Sequence, residues 1–261
     1  MPAPTVDDVR SYWEEHPVAA AAVPYELGSP EYFAYYDGLR EANEPLEFSY
    51  RLHEYRAFAG QRVLDVGCGN GYVLSKFARE GALTSGIDLT ETGIGLSRRR
   101  FELSDLPGEF VVGSAEDLPW PDDTFDCVTS MGVLHHTPDT ARSVAEVYRV
   151  LKPGGRLIVM FYHRDSAVYR RLQWRSRRTG KSLDTLVNEV DGVGNPKGDV
   201  YSKSELRALL AAFDGLDLSV GFLQGLPVGR WRVPPKALLK PFASRWGWFL
   251  YAKGYKPGRS S

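Results

Sequence analysis

Val63-Leu64-Asp65-Val66-Gly67-Cys68-Gly69-Asn70-Gly71 joins an apolar run ending in an aspartate to three glycines at alternate positions. The run reads as a buried parallel strand, and Tyr72 to Arg79 directly after it as a helix. Glycines at such a junction let the chain turn tightly and let a ligand approach main-chain N–H groups at a helix N-terminus. A dinucleotide-binding fingerprint would need its third glycine at position 72, which is Tyr72; the spacing is G-x-G-x-G, not G-x-G-x-x-G. Asp88 ends the next apolar run, where a carboxylate can accept both hydroxyls of a ribose. Asp65 and Asp88 together point to a nucleoside ligand.

Outward from this stretch the texture is that of strands joined by crossover helices. Strands are predicted at Arg62 to Val66, Leu83 to Asp88, Glu109 to Val112, Phe125 to Ser130 and Arg156 to Phe161. The helices between them are Tyr72 to Arg79, Glu91 to Ser104 and Pro138 to Leu151, the last capped by Thr137 and stopped by Lys152-Pro153-Gly154-Gly155. Before this core, residues 1–60 are polar and aromatic, with short helical patterns broken at Pro17, Pro24, Pro30 and Pro45. After it, residues 164–202 carry an Arg-rich helical stretch and a glycine-containing loop. Residues 203–261 resume the alternation: Ser202 and Glu205 make a capping box, a strand lies near Leu216 to Phe222, and a last one runs from Trp248. The chain therefore divides into an N-terminal helical cap, a core at 61–163, a substrate lid insertion, and a C-terminal completion of the sheet.

The 261 residues are 43% hydrophobic and 25% charged, the composition of a folded globular chain. A formal net charge of −1 argues against a nucleic-acid partner held through phosphates. The charge is unevenly spread: −7 over residues 1–60, −4 over 61–163 and +10 over 164–261. Two cysteines, Cys68 and Cys127, are too few for a disulfide framework and lack metal-ligand spacing, so no metal is expected. With neither a leader-like N-terminus nor a membrane-length apolar run, a reduced cytoplasmic setting is expected.

The motif Val63 to Gly71 is joined by Gly86-Ile87-Asp88-Leu89, Ser114-Ala115-Glu116-Asp117-Leu118-Pro119-Trp120, Phe125-Asp126 and Val150-Leu151-Lys152-Pro153-Gly154-Gly155. With these, residues 61 to 163 resemble the class I S-adenosylmethionine-dependent methyltransferases. The resemblance is to the type 11 group, which includes the ubiquinone and menaquinone C-methyltransferases. It implies an α/β, Rossmann-like doubly wound sheet of seven strands in the order 3-2-1-4-5-7-6 with strand 7 antiparallel. S-adenosyl-L-methionine would lie across the ends of strands 1 to 4 and leave as S-adenosyl-L-homocysteine. By position, Gly67, Cys68, Gly69 and Gly71 would line its methionine part, Asp65 would lie near the ammonium, Asp88 would bind the ribose and Leu89 would pack on adenine. Family members commonly carry Asp-Ala where this chain has Ser114-Ala115, which leaves the Ala115 N–H and the Glu116 side chain for adenine. Met131 and Gly132 would lie beneath the sulfonium. Alternative readings are a non-catalytic S-adenosylmethionine-binding protein and an NAD-dependent oxidoreductase, the latter disfavoured by the glycine spacing.

Methyl transfer to a small molecule, with a lipophilic quinone precursor, isoprenoid or polyketide favoured, chiefly requires alignment and exclusion of water. A base matters only where the acceptor must lose a proton. His135, His136 and His163, at the ligand edge of the sheet, are the candidate proton acceptors. Tyr32 and Tyr36 with Arg40 could cover the cofactor, Arg40 meeting its carboxylate. Tyr162 at the end of the fifth strand, and Asp191 and Asn195 in the loop 191–196, are candidate substrate contacts. The tail from Leu226 interleaves Arg230, Arg232, Lys236, Lys240 and Arg245 with Trp231, Phe242 and Trp246, a pattern suited to peripheral membrane contact or an acceptor entrance.

Overall fold

In the computed structural model, which describes residues 3–18, 22–223, 226–228, 231–233 and 236–258, β1 (Arg62–Val66) pairs in parallel on both sides, with β2 (Leu83–Asp88) and β4 (Phe125–Met131). Outside these lie β3 (Glu109–Val112) and β5 (Leu151–His163), also parallel to their neighbours. The sheet continues antiparallel through β10 (Phe249–Tyr255) to β7 (Asp214–Gly221), giving the order β3-β2-β1-β4-β5-β10-β7. This is the expected seven-strand order with its reversed last strand. Two small additions accompany it: β6 (Val200–Tyr201) pairs with the end of β5, and β8 (Leu226–Val228) pairs with β9 (Trp231–Val233) as a separate hairpin.

Both sheet faces are covered, which is why β1 and β4 are buried almost throughout. One face packs α6 (Thr140–Val150) and α9 (Lys203–Leu209) against Leu64, Val128, Val159 and Leu250. The other carries α4 (Tyr72–Arg79) and the N-terminal helices α2 (Pro30–Asn43) and α3 (Leu46–His53), with the lid helices α7 (Ala167–Thr179) and α8 (Leu183–Asn188). Tyr55 and Phe77 meet edge to face at 4.6 Å within it, both fully buried. Each such side chain contributes about 1.5–3 kcal/mol through burial. Tyr32, Phe58, Leu172, Leu186 and Trp248 belong to the same cluster, so apolar packing crosses the boundaries at 60 and 163.

The capping box of Ser202 with Glu205 on α9 takes its expected form. Ser29 caps α2 with Pro30 in its first turn, and Thr90 caps α5 (Glu91–Leu103). The cap expected at Thr137 does not form. Asp139, not Thr137, caps α6: its carboxylate accepts from the Arg142 N–H at 2.9 Å, while the Thr137 hydroxyl donates to the Leu134 carbonyl and closes the short turn Leu134–His136. α6 ends at Val150, at the expected Lys152-Pro153-Gly154-Gly155 stop, but the chain passes directly into β5, so those residues are strand and not loop. The Gly154 N–H pairs with the Lys256 carbonyl at 2.8 Å, and the register against β4 shifts between Phe125 and Cys127.

Of the basic and aromatic C-terminal segment, residues 229, 230, 234 and 235 and the side chains of 231–233, 236, 237 and 240 lie outside the described residues. Leu238 and Phe242 are exposed, and Phe242 stacks on Trp246. Among the described residues no helix is long and apolar enough to cross a membrane, and no group of three or more His, Cys, Asp or Glu could hold a metal. Cys68 and Cys127 are free and buried.

Candidate functional site

The loop after β1 reverses over three glycines with positive φ, Gly67, Gly69 and Gly71, and Gly71 serves as the left-handed cap of α4. Gly67 and Cys68 both donate their N–H to the Ile87 carbonyl, and Gly69 donates to Asp88 Oδ2 at 2.9 Å. Asp88 Oδ1 accepts from the Thr90 N–H and hydroxyl. Three of the roughly four acceptor positions of this carboxylate are thus used inside the protein, leaving about one for a further donor. Asp88 therefore ties the glycine loop to the start of α5 and still faces the cavity, a tighter arrangement than a free carboxylate awaiting two hydroxyls.

A cavity of about 630 Å³ opens over the carboxyl ends of β1, β2, β4 and β5. Asp65, Gly67, Cys68, Gly69, Asp88, Leu89, Ser114, Ala115, Met131 and Gly132 line it, as do Arg40, Tyr32 and Tyr36 from α2 and His136, Tyr162 and Asp191 from the acceptor-side candidates. Open sheets bind ligands at this edge. Other candidates do not reach it. Gly71 packs against Ser97 instead. Glu116 turns away, because its carboxylate accepts the Asp139 N–H at 2.7 Å and braces the entry to α6. His135 is fully buried against His136, Phe161 and Tyr162 with neither ring nitrogen hydrogen-bonded. His163, one residue past Tyr162 and so on the opposite side of the strand, places Nδ1 3.1 Å from the Gly247 carbonyl. Asn195 is buried with its side-chain oxygen on the Lys197 N–H. Of the three histidines, only His136 meets the cavity.

Asp65 is buried at the cavity floor, and desolvation, with the Asp88 charge nearby, pushes its pKa from 3.8 up to about 7. Burial also raises Asp88, against the lowering effect of its bonds from Thr90 and Gly69. Burial opposes the charge of Arg40, yet Glu44 at 2.8 Å and the surrounding tyrosines keep it protonated, with its pKa raised. The Arg40 Nε–H and Asn70 Nδ2 have no protein partner, while Asn70 Oδ1 accepts the Tyr72 N–H, and both residues line the cavity. Two unpaired buried donors near a buried carboxyl suit a ligand with a carboxylate and an ammonium.

The raised Asp65 carries a sign for stability. Between its unfolded 3.8 and its folded value of about 7 the folded chain holds a proton that the unfolded chain has lost, so this group makes stability fall as pH rises through that window. Asp65→Asn is expected to flatten that fall; scanning calorimetry of the ligand-free protein from pH 4 to 7 would reveal it, and an unchanged slope would assign the fall to other groups.

Helix α1 (Val6–Glu15) roofs the cavity. Glu14 accepts from the Glu91 and Thr92 N–H groups at 3.0 Å each, satisfying orphan donors at the start of α5, and Arg10 Nε donates to the Leu89 carbonyl. Trp13 meets the His136 ring edge-on at 5.2 Å, and the Tyr12 hydroxyl donates to the Asp191 carbonyl. Trp13 and His16 from α1, Val133, Met160 and Phe249 complete the walls, and none was marked by the sequence. Trp13 stood out only as one aromatic among many; its place is set by contacts some 120 residues away.

A family model described as a methyltransferase domain matches residues 64–159. Residues 64–159 are a class I methyltransferase domain of the type 11 group. The chain is 42% identical over 123 residues to a fatty-acid O-methyltransferase of Mycolicibacterium smegmatis, covering 45% of this chain and 44% of that protein. It is 39% identical over 154 residues to phthiotriol/phenolphthiotriol dimycocerosates methyltransferase 1 of Mycobacterium ulcerans (57% and 55%). It is 40% identical over 108 residues to the ubiquinone/menaquinone biosynthesis C-methyltransferase UbiE of Marinomonas sp. (39% and 43%). The chain spans about half the length of the curated relatives it matches. In fold it is similar to the YcgJ protein from Bacillus subtilis, with a TM-score of 0.57 at 20% identity over 81% of this chain and 99% of that one. It is equally similar to the [4+2]-cyclase SpnF, with a TM-score of 0.58 at 20% identity over 99% of both. The cofactor of this methyltransferase class is S-adenosyl-L-methionine, and the unpaired Arg40 and Asn70 donors beside the Asp65 carboxyl fit its amino-acid end.

Proposed function

We propose that the chain is an S-adenosylmethionine-dependent methyltransferase acting on a small lipophilic molecule. The observation that carries this reading is the continuity of one cavity from the Asp65, Asp88 and glycine-loop end to a chamber walled by Trp13, Val133, Met160, Tyr162 and Phe249. In this reading Arg40 and Asn70 hold the cofactor carboxylate, Asp65 its ammonium, Asp88 a ribose hydroxyl, and Leu89, Ser114 and Ala115 its adenine. The bound cofactor supplies an activated methyl group on a sulfonium. The protein's own work is to orient the acceptor and to keep water out, which α1 does by bridging α5 to the loop at Asp191. Acceptors of the relatives, fatty acids, phthiotriol lipids and quinones by their names, support an apolar partner. Exposed Leu238 and Phe242 on the basic C-terminal segment support delivery from a membrane surface to a cytoplasmic chain.

The test is transfer of labelled methyl from S-adenosylmethionine into a host extract divided into organic-soluble, aqueous and macromolecular fractions, with Asp88→Ala as the blank. Label concentrated in the organic fraction is the expected outcome. Label in the other fractions overturns the lipophilic acceptor. Binding without transfer to any fraction leaves a cofactor-binding protein and overturns the methyltransferase reading. An ammonium beside Asp65 favours its ionised form, so S-adenosylhomocysteine affinity is expected to rise as pH passes from 5 toward 8; calorimetric titration across that range checks the sign.

A further inference from the structure

His136, Asp191 and Tyr162 converge on the acceptor side of the cavity from three separate places: the turn after β4, the loop after α8, and the end of β5. His136 Nδ1 lies 2.5 Å from the Lys197 carbonyl. A carbonyl can only accept, so Nδ1 carries the hydrogen and the neutral ring has its bare lone pair on Nε2. Nε2 lies 3.6 Å from Asp191 Oδ2, beyond hydrogen-bond reach, while Asp191 Oδ1 already accepts the Tyr162 hydroxyl at 2.6 Å. In the neutral ring Nε2 is therefore an unprotonated acceptor beside a carboxylate, placed to receive a proton from a bound molecule and to hold it next to a negative charge.

Resting on the methyltransferase reading above, we propose that His136 is the proton acceptor of the transfer, positioned by Asp191, and that the acceptor substrate is a lipophilic molecule bearing a neutral hydroxyl. A preformed carboxylate needs no base and would meet the Asp191 charge, whereas a hydroxyl needs its proton removed. The acceptor oxygen forms a bond to the methyl carbon as the carbon–sulfur bond breaks, its electron pair staying on sulfur. The hydroxyl proton passes to His136 Nε2, giving an imidazolium beside the Asp191 carboxylate, and is later released to water. Asp191 is a positioning residue, held by Tyr162 and, through its main-chain carbonyl, by Tyr12 of α1. Closure of α1 over the substrate and orientation of the base are thereby coupled.

The other groups around His136 are His135 beside it at 4.3 Å, Tyr162 at 5.6 Å, Trp13 of α1, and Lys197, whose ammonium is paired with Asp199 at 2.8 Å. His135 is buried and held neutral by desolvation, which leaves Asp191 as the carboxylate beside the His136 ring.

Two measurements test the proposal. In nitrogen-15 NMR of the imidazoles, the His136 signal, identified by its loss in His136→Asn, is expected to report hydrogen on Nδ1 in the neutral form and to titrate at lower pH in Asp191→Asn. Hydrogen on Nε2, or a titration that Asp191→Asn leaves unmoved, overturns the dyad. In the labelled-methyl reaction, His136→Asn is expected to lose about 10²–10⁴-fold in rate with S-adenosylhomocysteine affinity unchanged, and Asp191→Asn to shift the acid limb of the pH–rate profile. The product is expected to survive mild alkali as an ether; release of labelled methanol would mark an ester and overturn the hydroxyl acceptor, and label on nitrogen or carbon would do the same. A wild-type chain that binds cofactor but transfers no methyl sinks the methyltransferase reading and, with it, the hydroxyl acceptor, while the NMR arm still decides the His136–Asp191 pairing.

Discussion

Asp88→Ala is expected to weaken S-adenosylhomocysteine binding on the order of 100-fold, read by calorimetric titration. The carboxylate accepts from Gly69 and twice from Thr90, so its removal loosens the glycine loop and takes away the remaining acceptor that faces the cavity. A hydrogen bond to a charged group is worth about 1.5–3 kcal/mol, and one such bond to a ribose plus the lost order of the loop reaches the stated factor. Stability should fall less than three lost bonds suggest, because burial already raises the Asp88 pKa and its deletion relieves that desolvation. Asp88→Asn, which preserves shape but not charge, is expected to fall between. An affinity for the alanine variant within threefold of wild type would show that Asp88 is only a tie between loop and helix.

Gly67→Ala is expected to lower the melting temperature by roughly 5–15 °C and to abolish cofactor binding at ordinary concentrations. The residue has φ +75°, and an added Cβ would stand 2.3 and 2.5 Å from the two methyls of Val133. Left-handed backbone costs an L-residue about 1–2 kcal/mol and overpacking about 1–3 kcal/mol, which for a chain of this size gives roughly that shift. The two causes separate by a double variant. Val133→Ala introduced with Gly67→Ala removes the overlap but not the backbone strain, so it should recover part of the loss. Gly69→Ala isolates the backbone part, since nothing lies within 4 Å of its Cβ at φ +52°. Melting curves that placed Gly69→Ala below Gly67→Ala would reverse the assignment of the cost to Val133.

What could be read in the chain was what short-range chemistry decides. The alternation of apolar runs and helical periods placed β1, β2, β3 and α4 at the residues where they are found, and the capping box of Ser202 and Glu205 followed from side chains that reach only three positions along the chain. Thr137 misled because Asp139, two residues on, competes for the same helix start, and the hydroxyl finds the Leu134 carbonyl first.

Within the site, the glycine spacing and the two strand-end aspartates were legible because each is a local device at the carboxyl end of a strand. The histidines were not. His135 and His136 are neighbours with the same sequence credentials, yet one is sealed among aromatics and the other faces Asp191; the choice is made by rotation of a three-residue turn packed on Phe161 and Tyr162. Trp13 and Asp191 reach the cavity only because α1 and the loop after α8 fold over it from opposite ends of the chain. Sequence by itself determined the alternation of strands and crossover helices and the glycine turn flanked by two strand-end aspartates, since periodicity and glycine conformation act within a few residues. Which side chains wall the acceptor chamber, and which histidine reaches it, was decided by tertiary packing, because those contacts join separate segments, from 29 residues apart for Tyr162 and Asp191 to 179 for Tyr12 and Asp191, and leave no periodic trace in any one of them.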